Sequence, residues 1–247
     1  MKTFGLLGKS LLHSFSKSYF DKKFESENLN YQYLNFELNN IEDLPELLSN
    51  NPDICGLNVT IPYKQQVIKF LNEIDKEATF IGAVNTIRII RKGNKITLIG
   101  YNTDAYGFEH SLKLHLKKHY RKALVLGTGG ASKAVGFVLR KHGISVTDVS
   151  RHPLKLNQIS YEFINKNTIN DHLIIINTTP LGMHPNESSF PKIPYEFIGD
   201  QHLLFDLVYN PAETIFLKKG KENGANTVNG TNMLHLQAEQ SWKVWNY

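Results

Sequence analysis

The chain has 247 residues, 41% of them hydrophobic and 21% charged, a length and balance that suit one large or two modest folded domains and exclude a mainly disordered chain. The formal net charge is +5, but Lys and Arg are scattered. The densest group, Lys113 to Lys122, reads as the polar end of a helix before a strand, and with no basic stripe interleaved with aromatics a nucleic-acid role is not expected. One cysteine, Cys55, excludes an internal disulfide and a thiolate zinc cluster and reads as a strand residue, so no metal is expected. No apolar stretch reaches the length of a signal peptide or a membrane span, so cytoplasmic residence without membrane contact is expected.

In chain order the strand-like runs are TFGLLG, YQYLNFE, ICGLNVT, AVNTIRII, KITLIGYN, KALVLG, ISVTDVS, LIIINTT, HLLFDLV and ANTVNG. Helices are predicted after Ser16, Ile41, Pro62, Thr103, Gly130, Pro153 and Pro211, and a last one after Gly230. Alternating strands and helices argue for parallel sheets with covered faces. RKGNK between two strand-like runs reads as a hairpin turn, which gives the first sheet an antiparallel portion. A boundary falls near Thr103 to Gly107, after which a second α/β unit opens. In the final segment Leu234, Ala238, Trp242 and Trp245 form one helical stripe, which a second-domain packing face would also explain.

KALVLGTGGASKA is a strand, a glycine turn and a helix. Gly127, Gly129 and Gly130 let the backbone turn sharply and approach a pyrophosphate, and the helix starting near Gly130 directs free amides and its positive dipole end at that anion. Ala131, Ala134 and Gly136 keep the helix face small. The next strand ends at Ser150 and Arg151, where NAD enzymes place an acidic group on the ribose hydroxyls. A guanidinium and a hydroxyl there suit a ribose 2′-phosphate, so NADP is expected over NAD; the other reading has Asp148 serving a ribose and Arg151 as a surface residue.

Four short segments near strand ends carry unusual polar density. Ser14 and Ser16 in HSFS would share one carboxylate if extended, or Ser16 would cap a helix. Asn58 and Thr60 alternate on one face in GLNVTIPYK, where Pro62 starts a predicted helix with Lys64 in its first turn. Asn85 in GAVNT is a polar residue in an apolar strand that needs partners. Asp104 in GYNTDAYG stands at a helix start, as a cap or as a counter-charge for Lys64.

These segments, with NTTPLGM, DLVYNP and GTNMLHLQA, occur in the order and near the spacing of the shikimate dehydrogenase family, which the chain resembles over nearly its whole length. The resemblance implies an α/β fold of two domains. A mixed-sheet substrate domain would take residues 1–103 plus 230–247, a Rossmann-like NADP domain would take 104–229, and the C-terminal helix would return to the first, with a catalytic cleft between them. It implies reversible NADP-dependent oxidation of shikimate to 3-dehydroshikimate, with Lys64 and Asp104 as the catalytic pair. Ser14 and Ser16 would bind the carboxylate. Asn58, Thr60, Asn85, Asp104 and Gln237 would hold ring hydroxyls, and Tyr209 would touch substrate. NADP would be cradled by Gly127, Gly129, Gly130, Ala131, Ser150 and Arg151, with Asn177, Thr178 and Met183 on the nicotinamide side and Gly230 and Met233 closing it. The chain departs from the family with SKSYF in place of SPxxHN and SRH in place of NRT. Rival readings are a quinate- or NAD-using relative and a non-catalytic dinucleotide sensor. A monomer or homodimer is expected.

Overall fold

The computed structural model describes residues 1–11, 15–93 and 95–246. The chain forms two compact units, Met1–Thr103 with Ala238–Tyr247 and Asp104–Gln237.

The first unit runs β1 (Lys2–Gly8), α1 (Phe15–Ser26), β2 (Tyr31–Glu37), α2 (Leu44–Asn50), β3 (Ile54–Val59), β4 (Glu73–Ile74), α3 (Lys76–Ile81), β5 (Thr86–Lys92) and β6 (Lys95–Tyr101). The sheet order is β2-β1-β3-β5-β6-β4. β1 is parallel to both β2 and β3, while β5 is antiparallel to β3 and to β6, the hairpin expected of RKGNK. Leu7, Leu57, Val59, Val67, Val84 and Ile87 form part of one apolar core. A second core is aromatic: Phe20 stacks on Tyr33 at 4.7 Å, and Phe4 on Trp245 at 4.9 Å. A Cβ on Gly56 would lie 2.4 Å from the Trp245 ring, so only glycine lets this indole rest on β3 while its Nε1 donates to the Ile87 carbonyl at 3.0 Å.

α4 (Thr103–Lys113) leads into the second unit, which continues β7 (Lys122–Leu126), α5 (Gly130–Lys141), β8 (Ser145–Val149), β9 (Gln158–Ile159), α6 (Lys166–Asp171), β10 (Ile174–Asn177), β11 (Leu203–Asp206), α7 (Ile215–Glu222), β12 (Asn226–Val228) and α8 (Thr231–Trp245). All its strand pairs are parallel, in the order β12-β11-β10-β7-β8-β9. Counted within the unit and read from the other edge this is 3-2-1-4-5-6, the doubly wound arrangement. The central strands are apolar on both faces because helices cover both. α8 begins in this unit and, from Ala238, belongs to the first; Ala238, Val244 and Trp245 pack in the aromatic core there.

All ten strand-like runs form strands. Two predicted helices do not form. After Pro62 the chain makes turns and a 3₁₀ segment, Gln66–Phe70, because the backbone near Lys64 bonds across to the 84 segment (Val84 N–H to the Lys64 carbonyl, 2.7 Å) instead of continuing a helical ladder. Lys64 therefore sits in a turn and not in the first turn of a helix. After Pro153 the stretch 153–157 is exposed, Leu154 and Leu156 included. It returns as the edge strand β9, with Asp148 aligned to Gln158. α3 and α6 went unpredicted; each has six residues, too short for a clear period, and each is started by a side-chain cap, Asp75 and Asn165 respectively.

Candidate active site

In the second unit the strand order reverses between β7 and β10, so their carboxyl ends open the crevice where doubly wound sheets bind ligands. The glycine turn stands at this point. Gly127 has φ +110°, and a Cβ on it would lie 2.8 Å from the Thr178 hydroxyl. A Cβ on Gly129 would meet nothing within 4 Å. α5 starts at Gly130 with Gly129 as its N-cap and no side chain capping it. Bare backbone, open space and a twelve-residue helix pointing its first amides outward fit a pyrophosphate.

Basic groups gather at the end of β8. Lys133 on α5 feels burial and the charge of Lys155, both lowering its pKa. Burial raises the Asp148 carboxyl, opposed by Arg140, by a hydrogen bond from Asn157 (2.9 Å) and by Lys155. Asp148 is thus engaged with Asn157 and surrounded by cations. The Ser150 hydroxyl accepts from the His152 N–H at 3.1 Å, and Arg151 is exposed and close enough to bias the Tyr161 hydroxyl. This surface fits the extra phosphate of NADP better than a second ribose hydroxyl. Lys133 and Lys155 were missed in the sequence reading, although Lys133 follows directly in GASK and Lys155 lies four residues past Arg151.

Beyond β10, Asn177 is fully buried and its amide is committed to the protein: Nδ2 donates to the Leu181 carbonyl at 3.2 Å and Oδ1 accepts from the Thr179 N–H and hydroxyl. Thr178 donates through both N–H and hydroxyl to the Leu126 carbonyl, tying this loop to β7. Met183 is 42% exposed. Gly230 is packed so tightly that a Cβ would lie 2.2 Å from the Leu207 carbonyl oxygen, and Met233 and Gln237 on α8 close on Gly107 of α4. Tyr209 lies half-buried in the loop after β11.

The first unit holds a buried polar network. Asn58 on β3 is 4% exposed, and both ends of its amide are engaged: Oδ1 accepts from the Tyr33 hydroxyl at 2.9 Å, and Nδ2 donates to the hydroxyls of Ser241 (2.8 Å) and Thr86 (3.2 Å). Ser241 on α8 is within 3.0 Å of both Thr86 and Thr103. Asn85 accepts from the Thr103 N–H at 2.6 Å through Oδ1 and donates to its hydroxyl at 3.0 Å. An outside side chain, Asn85, thereby meets the first amide of α4, directly before Asp104. Ser16 lies in the first turn of α1, so the extended arrangement considered for the two serines does not hold at Ser16; its buried hydroxyl bonds to that of Tyr33. Ser14 lies outside the described residues. Thr60, just past β3, and Lys64 are half-buried, and Asp104 is buried at the start of α4. Tyr33, Thr86 and Ser241 escaped the sequence reading; the four-residue spacing of Gln237 and Ser241 on one helix was the available signal. Among the described residues no group of His, Cys, Asp and Glu could hold a metal ion.

A family model described as the shikimate dehydrogenase substrate binding domain matches residues 6–87. The chain is 37% identical, over 98% of its own length and 90% of the relative's, to the shikimate dehydrogenase (NADP(+)) of Methanococcus vannielii. Among solved structures, shikimate dehydrogenase 1 from Peptoclostridium difficile is 38% identical with a TM-score of 0.83, covering 100% of this chain and 92% of that one. The shikimate 5-dehydrogenase of Thermus thermophilus, solved in complex with NADP(H) and shikimate, is 31% identical with a TM-score of 0.84, covering 99% and 93%.

Proposed function

The chain belongs to the shikimate dehydrogenase family, and from that premise we propose that it interconverts shikimate and 3-dehydroshikimate with NADP as the redox partner. The cofactor choice is carried by one observation: Lys133, Arg151 and Lys155 collect at the end of β8, where an NAD site would present a carboxylate to the ribose. When bound, NADP+ supplies the hydride acceptor.

The chain's own residues bind, orient and move one proton. Ser14 and Ser16 receive the substrate carboxylate, and Thr60, Tyr209 and Gln237 receive its hydroxyls. As the reacting hydroxyl becomes a carbonyl its proton passes to the catalytic pair Lys64 and Asp104, and in reduction it returns from the same pair. Asn58 and Asn85 are better suited to positioning than to contact, since the first amide is held by Tyr33, Ser241 and Thr86 and the second by Thr103. Asn177 in the same way shapes the nicotinamide-side loop from behind. No helix among the described residues is long and apolar enough to cross a membrane, and a cytoplasmic monomer or homodimer completes the reading.

The test is reduced-cofactor absorbance with purified protein given shikimate or quinate, each with NADP+ or NAD+. Strong turnover with shikimate and NADP+ is expected. Turnover confined to quinate or to NAD+ would move the protein to another branch of the family, and cofactor binding without turnover in any pairing would replace catalysis by sensing.

A further inference from the structure

We propose that Asp206 is a positioning residue: its buried carboxylate locks together the two loops, 178–183 and 207–214, that shape the nicotinamide half of the cofactor site. That loop 178–183 faces the nicotinamide rests on the function proposed above, and loop 207–214, which carries Tyr209, acts on it through the contacts between the two loops. What Asp206 does to them rests on geometry.

Asp206 ends β11 and is directly aligned with Asn177, which ends β10, so the two side chains stand beside each other at the carboxyl edge of the sheet. Asp206 is 0% exposed. Its Oδ1 accepts from Asn177 Nδ2 and from the Val208 N–H, each at 3.0 Å, and its Oδ2 accepts from the Thr214 hydroxyl at 2.6 Å. Three donors, one at the end of β10 and two from the 207–214 loop, thus converge on one acceptor-only group. The Thr214 hydroxyl also accepts the Leu217 N–H at 3.3 Å, which leaves its own proton for Asp206.

The influence runs outward along both loops. Through Asn177 it reaches Thr179 and the Leu181 carbonyl. Through Val208 and Thr214 it spans the second loop. The loops are also clasped directly, by the His184 N–H on the Asn210 carbonyl at 3.0 Å and by Gly182, whose φ of +90° brings it against Thr214. A buried ionised carboxylate with no cationic contact among the described residues is costly, and an apolar residue would fill the space at less cost. The carboxylate is the group that can accept all three bonds at once, and its consequence is loop geometry.

The test separates the two halves of the cofactor. Asp206→Asn keeps the shape but turns an N–H₂ toward Thr214. By calorimetric titration NADPH should bind roughly tenfold more weakly, the scale of one charge-assisted hydrogen bond lost. By the same scale 2′-phospho-ADP-ribose, which lacks nicotinamide, should change by less than about twofold. Thr214→Val should show the same selective loss and Thr214→Ser should restore it, which covers the case of an Asp206 variant that does not fold. Equal weakening of both ligands, or of neither, overturns the proposal. The comparison needs only binding, so it stands apart from the turnover assay: absence of turnover in the unaltered protein would overturn the proposed reaction and leave this contrast to be read.

Discussion

At the scale of single residues, two ionisable groups lend themselves to direct measurement. Lys64 is one member of the proposed proton-handling pair, so Lys64→Ala should lower kcat by roughly 10²–10⁴, as removal of a general acid–base does, while NADPH affinity measured by fluorescence titration is kept. An unchanged kcat removes Lys64 from the reaction. Asp206 makes a statement about stability. Burial pushes its carboxyl up to about 6, against the hydrogen bonds from Thr214, Val208 and Asn177. A carboxyl raised in the folded state contributes its full stability below its unfolded value, near 3.8, and loses it as pH climbs through about 6. The stability of the wild-type protein minus that of Asp206→Asn should therefore fall between about pH 4 and pH 7 and then level off. Thermal melts across that range check it, and a flat difference would mean that the carboxyl is not raised. Asp206 thus illustrates stability given up to keep a site in shape.

At the scale of elements, the glycine turn before α5 separates backbone strain from ligand approach. At Gly127, with φ +110° and Thr178 2.8 Å from any Cβ, alanine should destabilise the fold by roughly 1–3 kcal/mol and also weaken NADPH. At Gly129 a Cβ meets nothing of the protein, so alanine should leave stability within about 0.5 kcal/mol yet weaken NADPH by obstructing the pyrophosphate. Denaturant titration beside ligand titration tells the two apart; tight NADPH binding by Gly129→Ala would place the pyrophosphate elsewhere. The turn, its strand and its helix were legible in KALVLGTGGASKA because strand, breaker and helix follow within thirteen residues. The helix expected after Pro62 was not, since the backbone of Lys64 is claimed by Val84, twenty residues away. Equally, α8 read as a stripe of Leu234, Ala238, Trp242 and Trp245, but the stripe does not say which core receives it; the close approach allowed by Gly56 does.

For the whole molecule, cofactor preference shows as linkage. NADP+ at a hundred times its Kd should stabilise the protein by about 2.7 kcal/mol, and the same concentration of NAD+ should stabilise it by clearly less. In Arg151→Ala the gap between the two should narrow, as read by thermal shift with each cofactor. A gap unaltered in Arg151→Ala would assign the 2′-phosphate to Lys133 and Lys155 alone.

What the sequence by itself determined is whatever depends on neighbours along the chain: ten strands from apolar runs, the hairpin at RKGNK, the glycine turn, and the short polar motifs whose order points to one family. Tertiary structure alone decided which polar atoms are spoken for. Asn58 from its strand position and Asn177 from the family resemblance read as ligand-binding residues, yet their amides are claimed by Tyr33 and Ser241 in one unit and by Asp206 and Thr179 in the other. A buried amide must find partners wherever the fold brings them, and these come from residues as far as 183 positions away in the chain, a distance over which local pattern carries no information.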